Sequence, residues 1–366
     1  MSITIFFKNF INRYYSVIII VALIIVSCDK FEQVHKKTIS KFPTPSDTLF
    51  VSNIHFLADS TRLLNPLTAI NVNDRYLVVN DYIDHNFLKV FSIPDFDLAY
   101  SWGRQGRGPG EFMAIPTDLG TTENNLFLFD PLSQTLKFFS VSDSSLKYID
   151  ESDLNFDGQV TPLNRIYRIS KELYFADYGG DNAISSVDEN FEHIALQPDN
   201  TKPIFTFGNY PESDLNGFEK YAKYMKTNWG KPDGTLFVTA YISADNRIKI
   251  YNTRGILKHD IIISNSNSES NEVVDDYLYR TVKWASDKHI YFLGLYGSQE
   301  MIYNPKLDST YNTSLEIWDW EGNPISVYSF DKPIINFTVS EHLGKIYGYT
   351  LHSDDKVFEY SLPAIN

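Results

Sequence analysis

The cations Arg104 and Arg107 are the chemistry-bearing residues with the most distinctive setting in this chain. They sit in the run Trp102-Gly103-Arg104-Gln105-Gly106-Arg107-Gly108-Pro109-Gly110-Glu111-Phe112. Four glycines and a proline in that span exclude a helix or a central strand, so the run is a shaped connection. Glycines with cations raise the question of phosphate binding. A phosphate cradle needs a helix N-terminus behind it, and a P-loop adds Gly-Lys-Ser/Thr; a strand pattern follows here and no such triplet occurs. Nucleophilic chemistry has no handle either, because there is no Gly-x-Ser-x-Gly elbow. The eight histidines form no His-x-His or His-x-x-x-His pair, so no zinc spacing emerges.

The one cysteine, Cys28, has a clearer reading. Lys8 and Arg13 precede an apolar run over 17–26, and no acidic residue occurs before Asp29. A basic segment, a short apolar segment and small residues make an export signal, while a membrane span needs about 20 apolar residues. Ile25-Val26-Ser27-Cys28 resembles a bacterial lipobox, which implies that Cys28 carries lipid after cleavage. The expected organisation is a lipoprotein signal peptide over 1–27, a flexible polar tether over 28–47 with Pro43 and Pro45, and a folded part over 48–366. An uncleaved anchor helix is the alternative. Either places the protein outside the cytoplasm on a membrane, the outer membrane or the periplasmic face of the inner one. The net charge of −14 argues against nucleic acid as a partner.

The elements that position these residues read as strands. Short apolar runs recur at roughly 45-residue spacing, as four-stranded propeller blades do. The second strand of each unit is the marker, with copies at 75–81, 126–130, 172–177, 235–239, 289–293 and 345–349. Turn residues such as Asn73-Asp74 and Pro232-Asp233-Gly234 precede several of them. The sixth unit shows three strands before the chain stops, and 48–54 has no blade of its own. This predicts an all-β, six-bladed β-propeller whose last blade is closed by that N-terminal strand.

Trp102 to Phe139 also resembles an NHL repeat: the glycine loop, then Pro116-Thr117-Asp118-Leu119-Gly120, Leu126-Phe127-Leu128-Phe129-Asp130 and Leu136-Lys137-Phe138-Phe139. With the sixfold count, the chain resembles TolB-like six-bladed propeller lipoproteins of the Bacteroidetes type. That resemblance implies a fold and a cell-envelope setting and carries no catalytic set. Six-bladed relatives of the regucalcin and paraoxonase group hold calcium in the channel. The corresponding inner strands here supply Asn71, Asp118, Asn164 and Asn228, rich in oxygen and poor in charge for Ca²⁺. No cofactor is expected, with calcium as the exception to test.

Propeller topology puts Asp81, Asp130 and Asp177, which end second strands, on the same rim as Arg104 and Arg107. One reading makes this rim a polar binding surface. The other has the aspartates satisfying turn amides and the arginines pairing with carboxylates such as Glu111. Tyr210 and Trp229 cluster near Phe218, Tyr221 and Tyr224 at an insertion between the third and fourth units, and aromatics there suit a glycan or a protein partner. The spacing of Phe218, Tyr221 and Met225 equally suits a short helix on the rim. The function these features imply is a binding or scaffold module for a protein or glycan. The alternative is a channel-centred, metal-dependent hydrolase or lyase.

Overall fold

Six β-sheets follow one another along the chain, each a meander of short strands. The structure, a computed structural model, describes residues 34–366 except 65, 82–85, 117–118, 123–124, 155–165, 179–189, 199, 201, 212–213, 243–245, 264–276, 298–311, 351–353 and 366. Among the described residues, three strands precede the first blade: β1 (His35–Ile39), β2 (Asp47–Leu49) and β3 (Val51–Phe56). Blade 1 contains β4 (Pro66–Val72), β5 (Tyr76–Asp81), β6 (Leu88–Ser92) and β7 (Leu98–Trp102). Blade 2 contains β8 (Leu119–Thr122), β9 (Asn125–Asp130), β10 (Thr135–Val141) and β11 (Leu146–Asp153). In blade 3 these are β12 (Ile166–Arg168), β13 (Tyr174–Asp177), β14 (Phe191–Leu196) and β15 (Phe205–Asn209).

A helix, α1 (Gly217–Lys223), precedes blade 4, where the insertion allows a short helix. Its ends are set locally. The Asn216 side chain accepts from the Glu219 amide while the Glu219 carboxylate accepts from the Asn216 amide, a complete capping box. Blade 4 is β16 (Lys226–Gly230), β17 (Leu236–Tyr241), β18 (Arg247–Asn252) and β19 (Leu257–Ile263). Blade 5 is β20 (Tyr277–Ala285), β21 (His289–Gly297), β22 (Asn312–Asp319) and β23 (Pro324–Phe330). Blade 6 has β24 (Asn336–Ser340), β25 (Lys345–Tyr349) and β26 (Lys356–Ser361), with β3 as its fourth strand.

Each innermost strand packs on the next, from β4 through β8, β12, β16 and β20 to β24, and β24 packs on β4. The ring therefore closes. Period-two alternation explains what holds it. In β5, Tyr76 and Val78 face blade 2 while Leu77 and Val79 face blade 6. In β9, Leu126 and Leu128 face blade 1, and Phe127 and Phe129 face blade 3. The second strands are thus apolar on both sides, each side belonging to a different interface. A fully buried side chain of this kind contributes about 1.5–3 kcal/mol.

The N-terminal segment does more than close the last blade. β3 pairs antiparallel with β26, as expected, while β2 pairs in parallel with β23 on blade 5 and β1 lies beside β19 on blade 4. The tether expected over 28–47 is thus strand from His35 to Ile39, a correction with a simple cause. The outer strands β19 and β23 offer open edges, and an extended segment rich in polar residues satisfies them at the surface. Ile39 and Phe42 pack on the core between blades 4 and 5, Phe42 stacking on Trp318 at 5.8 Å. Residues 1–27 and Cys28 lie outside the described residues. Among the described residues no helix is long and apolar enough to cross a membrane.

The glycine loop between blades 1 and 2 folds on itself. Gly106 N donates to Phe112 O at 2.8 Å and Phe112 N to Arg104 O at 3.0 Å. This seats Phe112, fully buried, against Phe87, Trp102 and Phe139. Gly103 makes the turn at φ 103°, and a Cβ there would lie 2.8 Å from the buried Phe87 ring. Gly103→Ala is expected to cost about 2–4 kcal/mol from strained backbone and overpacking together. Chemical denaturation should show a lower midpoint, and an unchanged one would refute this account of the loop.

Candidate functional site

The sequence directs attention to the rim carrying second-to-third-strand turns and interblade connections. The structure confirms that these segments meet there: Asp130 accepts from Met113 N at 2.7 Å and Ala114 N at 3.3 Å, both at the exit of the glycine loop. The same carboxylate accepts from Leu132 N and Ser133 N. Asp81 accepts from Leu64 N at 2.8 Å and from Lys89 Nζ at 3.0 Å. Asp177 accepts from Asn228 Nδ2 at 2.7 Å and lies 3.1 Å from His193 Nδ1. All three aspartates are buried, so they are removed from the binding surface the sequence allowed; Asp81 and Asp130 clamp incoming connections, and Asp177 ties β13 to the inner strand β16. Arg104 and Arg107 remain exposed on the loop. Glu111 does not pair with them; its carboxylate accepts from Gly108 N at 2.8 Å.

The aromatic candidates are also relocated. Tyr210 is buried, stacked on Tyr224 at 5.9 Å, and its hydroxyl donates to Tyr178 O at 3.2 Å while accepting from Lys226 Nζ at 2.9 Å. Trp229 stands on the innermost strand β16, inside the ring rather than on its rim, and packs against the cores of blades 1–2 and 4–5. Of the channel candidates, Asp118 and Asn164 lie outside the described residues. Asn71 is taken up locally: its Nδ2 donates to Asp74 Oδ1 at 2.6 Å and to Val339 O at 3.1 Å, tying blade 1 to blade 6. Asn228 is the remaining one, with its Nδ2 on Asp177. Among the described residues, no group of three His, Cys, Asp or Glu side chains could hold a metal ion.

Sequence reasoning missed a buried ionic layer. Lys89, Lys137 and Lys249 occupy the same place in their third strands, each between two apolar residues, and all three are buried. Their ammonium groups reach back to carbonyls ahead of their own blade: Arg62 O and Glu111 O in the incoming connections, and Asn209 O at the end of β15. The signal was present as Leu88-Lys89-Val90, Leu136-Lys137-Phe138 and Ile248-Lys249-Ile250. A lysine recurring in an apolar strand needs a buried acceptor, and each finds one. In blade 5 the opposite charge takes this place, with Glu316 paired to Arg280 at 2.7 Å.

Between blades 3 and 4 this layer becomes a network. Glu192 accepts from Lys249 and from Tyr241 OH at 2.8 Å, and His193 Nε2 stands 3.1 Å from Thr239 Oγ1. Hydroxyl, imidazole and carboxylate of Thr239, His193 and Asp177 thus follow the order used by hydrolases. All three are at most 1% exposed, so no substrate reaches them and the arrangement is structural. Burial alone would raise the Glu192 carboxyl; Lys249 and then Lys226 overcome it and hold it below its ordinary value. Burial also holds His193 below its ordinary 6.5, against the pull of Asp177. The folded state thus binds that proton less readily than the unfolded chain, and stability is fully present above pH 6.5 and falls as the pH drops below it. Urea unfolding between pH 8 and pH 5 should show His193→Asn with a shallower decline, by up to about 1.4 kcal/mol per pH unit. Equal slopes would refute this role.

Inner-strand residues of all six blades line a central channel, a cavity of about 1040 Å³. It reaches from Leu67, Thr68 and Asn336 near one rim to first-to-second-strand turns at the other, including Asn73–Asp74, Ser170–Lys171 and Lys231–Gly234. The mouth at those turns is opposite the rim that the sequence favoured. The charged residues of the lining are Arg168, Lys171, Lys231, Lys283, Asp74 and Asp233. Asp233 pairs with Lys231 at 2.6 Å, and Asp74 accepts from Asn71 and Ser340. Trp229 and Trp284 add two partly exposed indoles. The Thr68 hydroxyl and Asn228 Oδ1 are buried polar atoms without a hydrogen-bond partner. The lining therefore mixes both signs of charge with polar and aromatic side chains.

No family model and no curated protein matches this chain. A solved structure of a Bacteroides fragilis NCTC 9343 protein, described provisionally as exported, is similar over 90% of this chain and 99% of its own, at 13% identity and a TM-score of 0.53. A chain in a structure of the mitotic checkpoint complex is similar over 88% of this one and 96% of its own, at 10% identity and a TM-score of 0.45. At such identities the first likeness establishes the fold alone: this chain is a six-bladed β-propeller.

Proposed function

We propose that the protein is an exported lipoprotein of the TolB-like and NHL-like type, held on a membrane by Cys28, whose propeller binds a protein or glycan in the cell envelope. The observation that carries the reading is the channel, a rigid cavity walled by all six blades and lined with cations and indoles. Rigid walls lower the entropy cost of holding a ligand. The described-as-exported neighbour and the leader around Lys8, Arg13 and Cys28 support the location. Fractionation tests the anchor: Cys28→Ala should move the protein from the membrane pellet to the soluble envelope fraction, and continued sedimentation would refute it. Binding is tested by presenting the full-length protein to an array of envelope glycans, alongside recovery of cross-linked partners from the native envelope. Turnover of an array member, or a shift of several degrees in melting temperature with calcium or EDTA, would replace this reading with the channel-centred enzyme.

A further inference from the structure

We infer that the N-terminal segment sets how the propeller stands on the bilayer: the outer edge of blade 4 is turned toward it, and the Arg104–Arg107 loop is presented away from it. The inference rests on the reading of Cys28 as a lipid-bearing residue and concerns what that anchor does to the folded part.

The observation that carries it is where the fold takes hold of the chain. A tether over 28–47 would let the propeller turn any face to the bilayer, because a chain of that length spans up to about 65 Å. The structure shortens it. From His35 the chain is strand β1 beside β19, and the residues that follow hold it there. Lys37 Nζ donates to Gly322 O at 3.3 Å and to Asn323 Oδ1. Ile39 and Phe42 pack on the core between blades 4 and 5, where Phe42 also lies against the Arg280 guanidinium at 4.9 Å. Ser46 N then donates to Val327 O at 2.8 Å, and β2 continues along β23.

Six residues, 29–34, separate Cys28 from His35. Whatever path they take, the two ends are at most about 25 Å apart, and a flexible chain of that length averages roughly 15 Å. A folded body of this size has a radius of gyration near ~20 Å and is roughly 50 Å across. The link is therefore shorter than the body it holds. Blade 1 stands across the ring from blade 4, since the inner strands pack on one another in chain order. Its edge cannot rest on the bilayer while β1 stays within reach of Cys28, and the glycine loop between blades 1 and 2 shares that far side. What the anchor leaves outermost thus includes the exposed Arg104 and Arg107, with exposed Met113 and Leu132 held near each other by Asp130.

The test uses the full-length lipidated protein in liposomes whose headgroups carry an energy-transfer acceptor. Cys28 is the one native cysteine and bears lipid in this reading, so an introduced thiol alone takes the donor dye. Lys36→Cys marks β1, while Arg104→Cys and Lys147→Cys mark the far side; all three positions are exposed. Transfer from Lys36→Cys is expected to exceed that from the other two by about twofold or more, given the reach of the link and the width of the body. Inserting about thirty Gly/Ser residues after Val34 lengthens the link without touching the blades, and should remove most of the difference. Equal transfer from all three positions with the native link, or a difference untouched by the insertion, would overturn the inference and leave the lipid anchor standing. Protein that stays free of the liposomes would overturn the anchor reading, and the orientation with it.

Discussion

Glu192→Ala should destabilise the propeller by about 3–5 kcal/mol, more than removal of any exposed charge. Glu192 is fully buried and is the counter-charge of Lys249, with Tyr241 OH completing its Oε1 contacts. Removing it strands Lys249, 4% exposed, next to blade 4's incoming connection, with Lys226 close by. An uncompensated buried ammonium costs far more than the pair contributes. The sharper form is therefore the comparison of single and double variants. Glu192→Met combined with Lys249→Met removes both charges and fills similar volume, so it should recover most of the loss. Guanidinium unfolding measures each. A double variant as unstable as Glu192→Ala would show that the network is held by its hydrogen bonds and not by charge balance.

Deleting 47–56 should be as damaging for a different reason. β3 gives blade 6 its fourth strand and β2 extends blade 5, so the deletion opens two sheet edges at once. His55 Nε2 also contacts Glu359 Oε2 at 2.8 Å, and Leu49 and Val51 pack on the core between blades 5 and 6. Losing a ladder of backbone bonds at about 1 kcal/mol each, with that apolar cover, amounts to roughly 4–7 kcal/mol. Because this segment completes the outer side of blade 6 and extends blade 5, the loss should be cooperative: one transition at lower temperature, without a separate early step. An unchanged melting curve would show that the three C-terminal strands close the ring unaided.

Much of this architecture was legible along the chain. Short apolar runs such as Leu126-Phe127-Leu128-Phe129 and turns such as Asn73-Asp74 specify strand and hairpin through interactions between near neighbours. Both turn residues take positive φ, at 56° and 53°. The spacing of Phe218 and Tyr221 allowed a helix, and Asn216 with Glu219 supplied its cap. The lysines at 89, 137 and 249 repeat at one strand position and were readable as buried cations, though nothing local named their partners.

The site was legible only in part. Asp81, Asp130 and Asp177 end second strands, as read from the sequence, but their burial depended on the segments that pack over them. Trp229 was placed on the rim because it follows an aromatic insertion, whereas the boundary at Lys226 makes it the fourth residue of an inner strand. Thr68, Arg168, Asn228 and Lys283 come from four different blades and are far apart in sequence.

The sequence by itself therefore determined the strands, their turns and the sixfold repeat. These depend on alternation and turn chemistry over a few residues. Only the tertiary structure decided which charges are buried and which side chains share the channel. That choice follows from ring closure, which brings distant inner strands around one axis and gives the N-terminal segment to three blades.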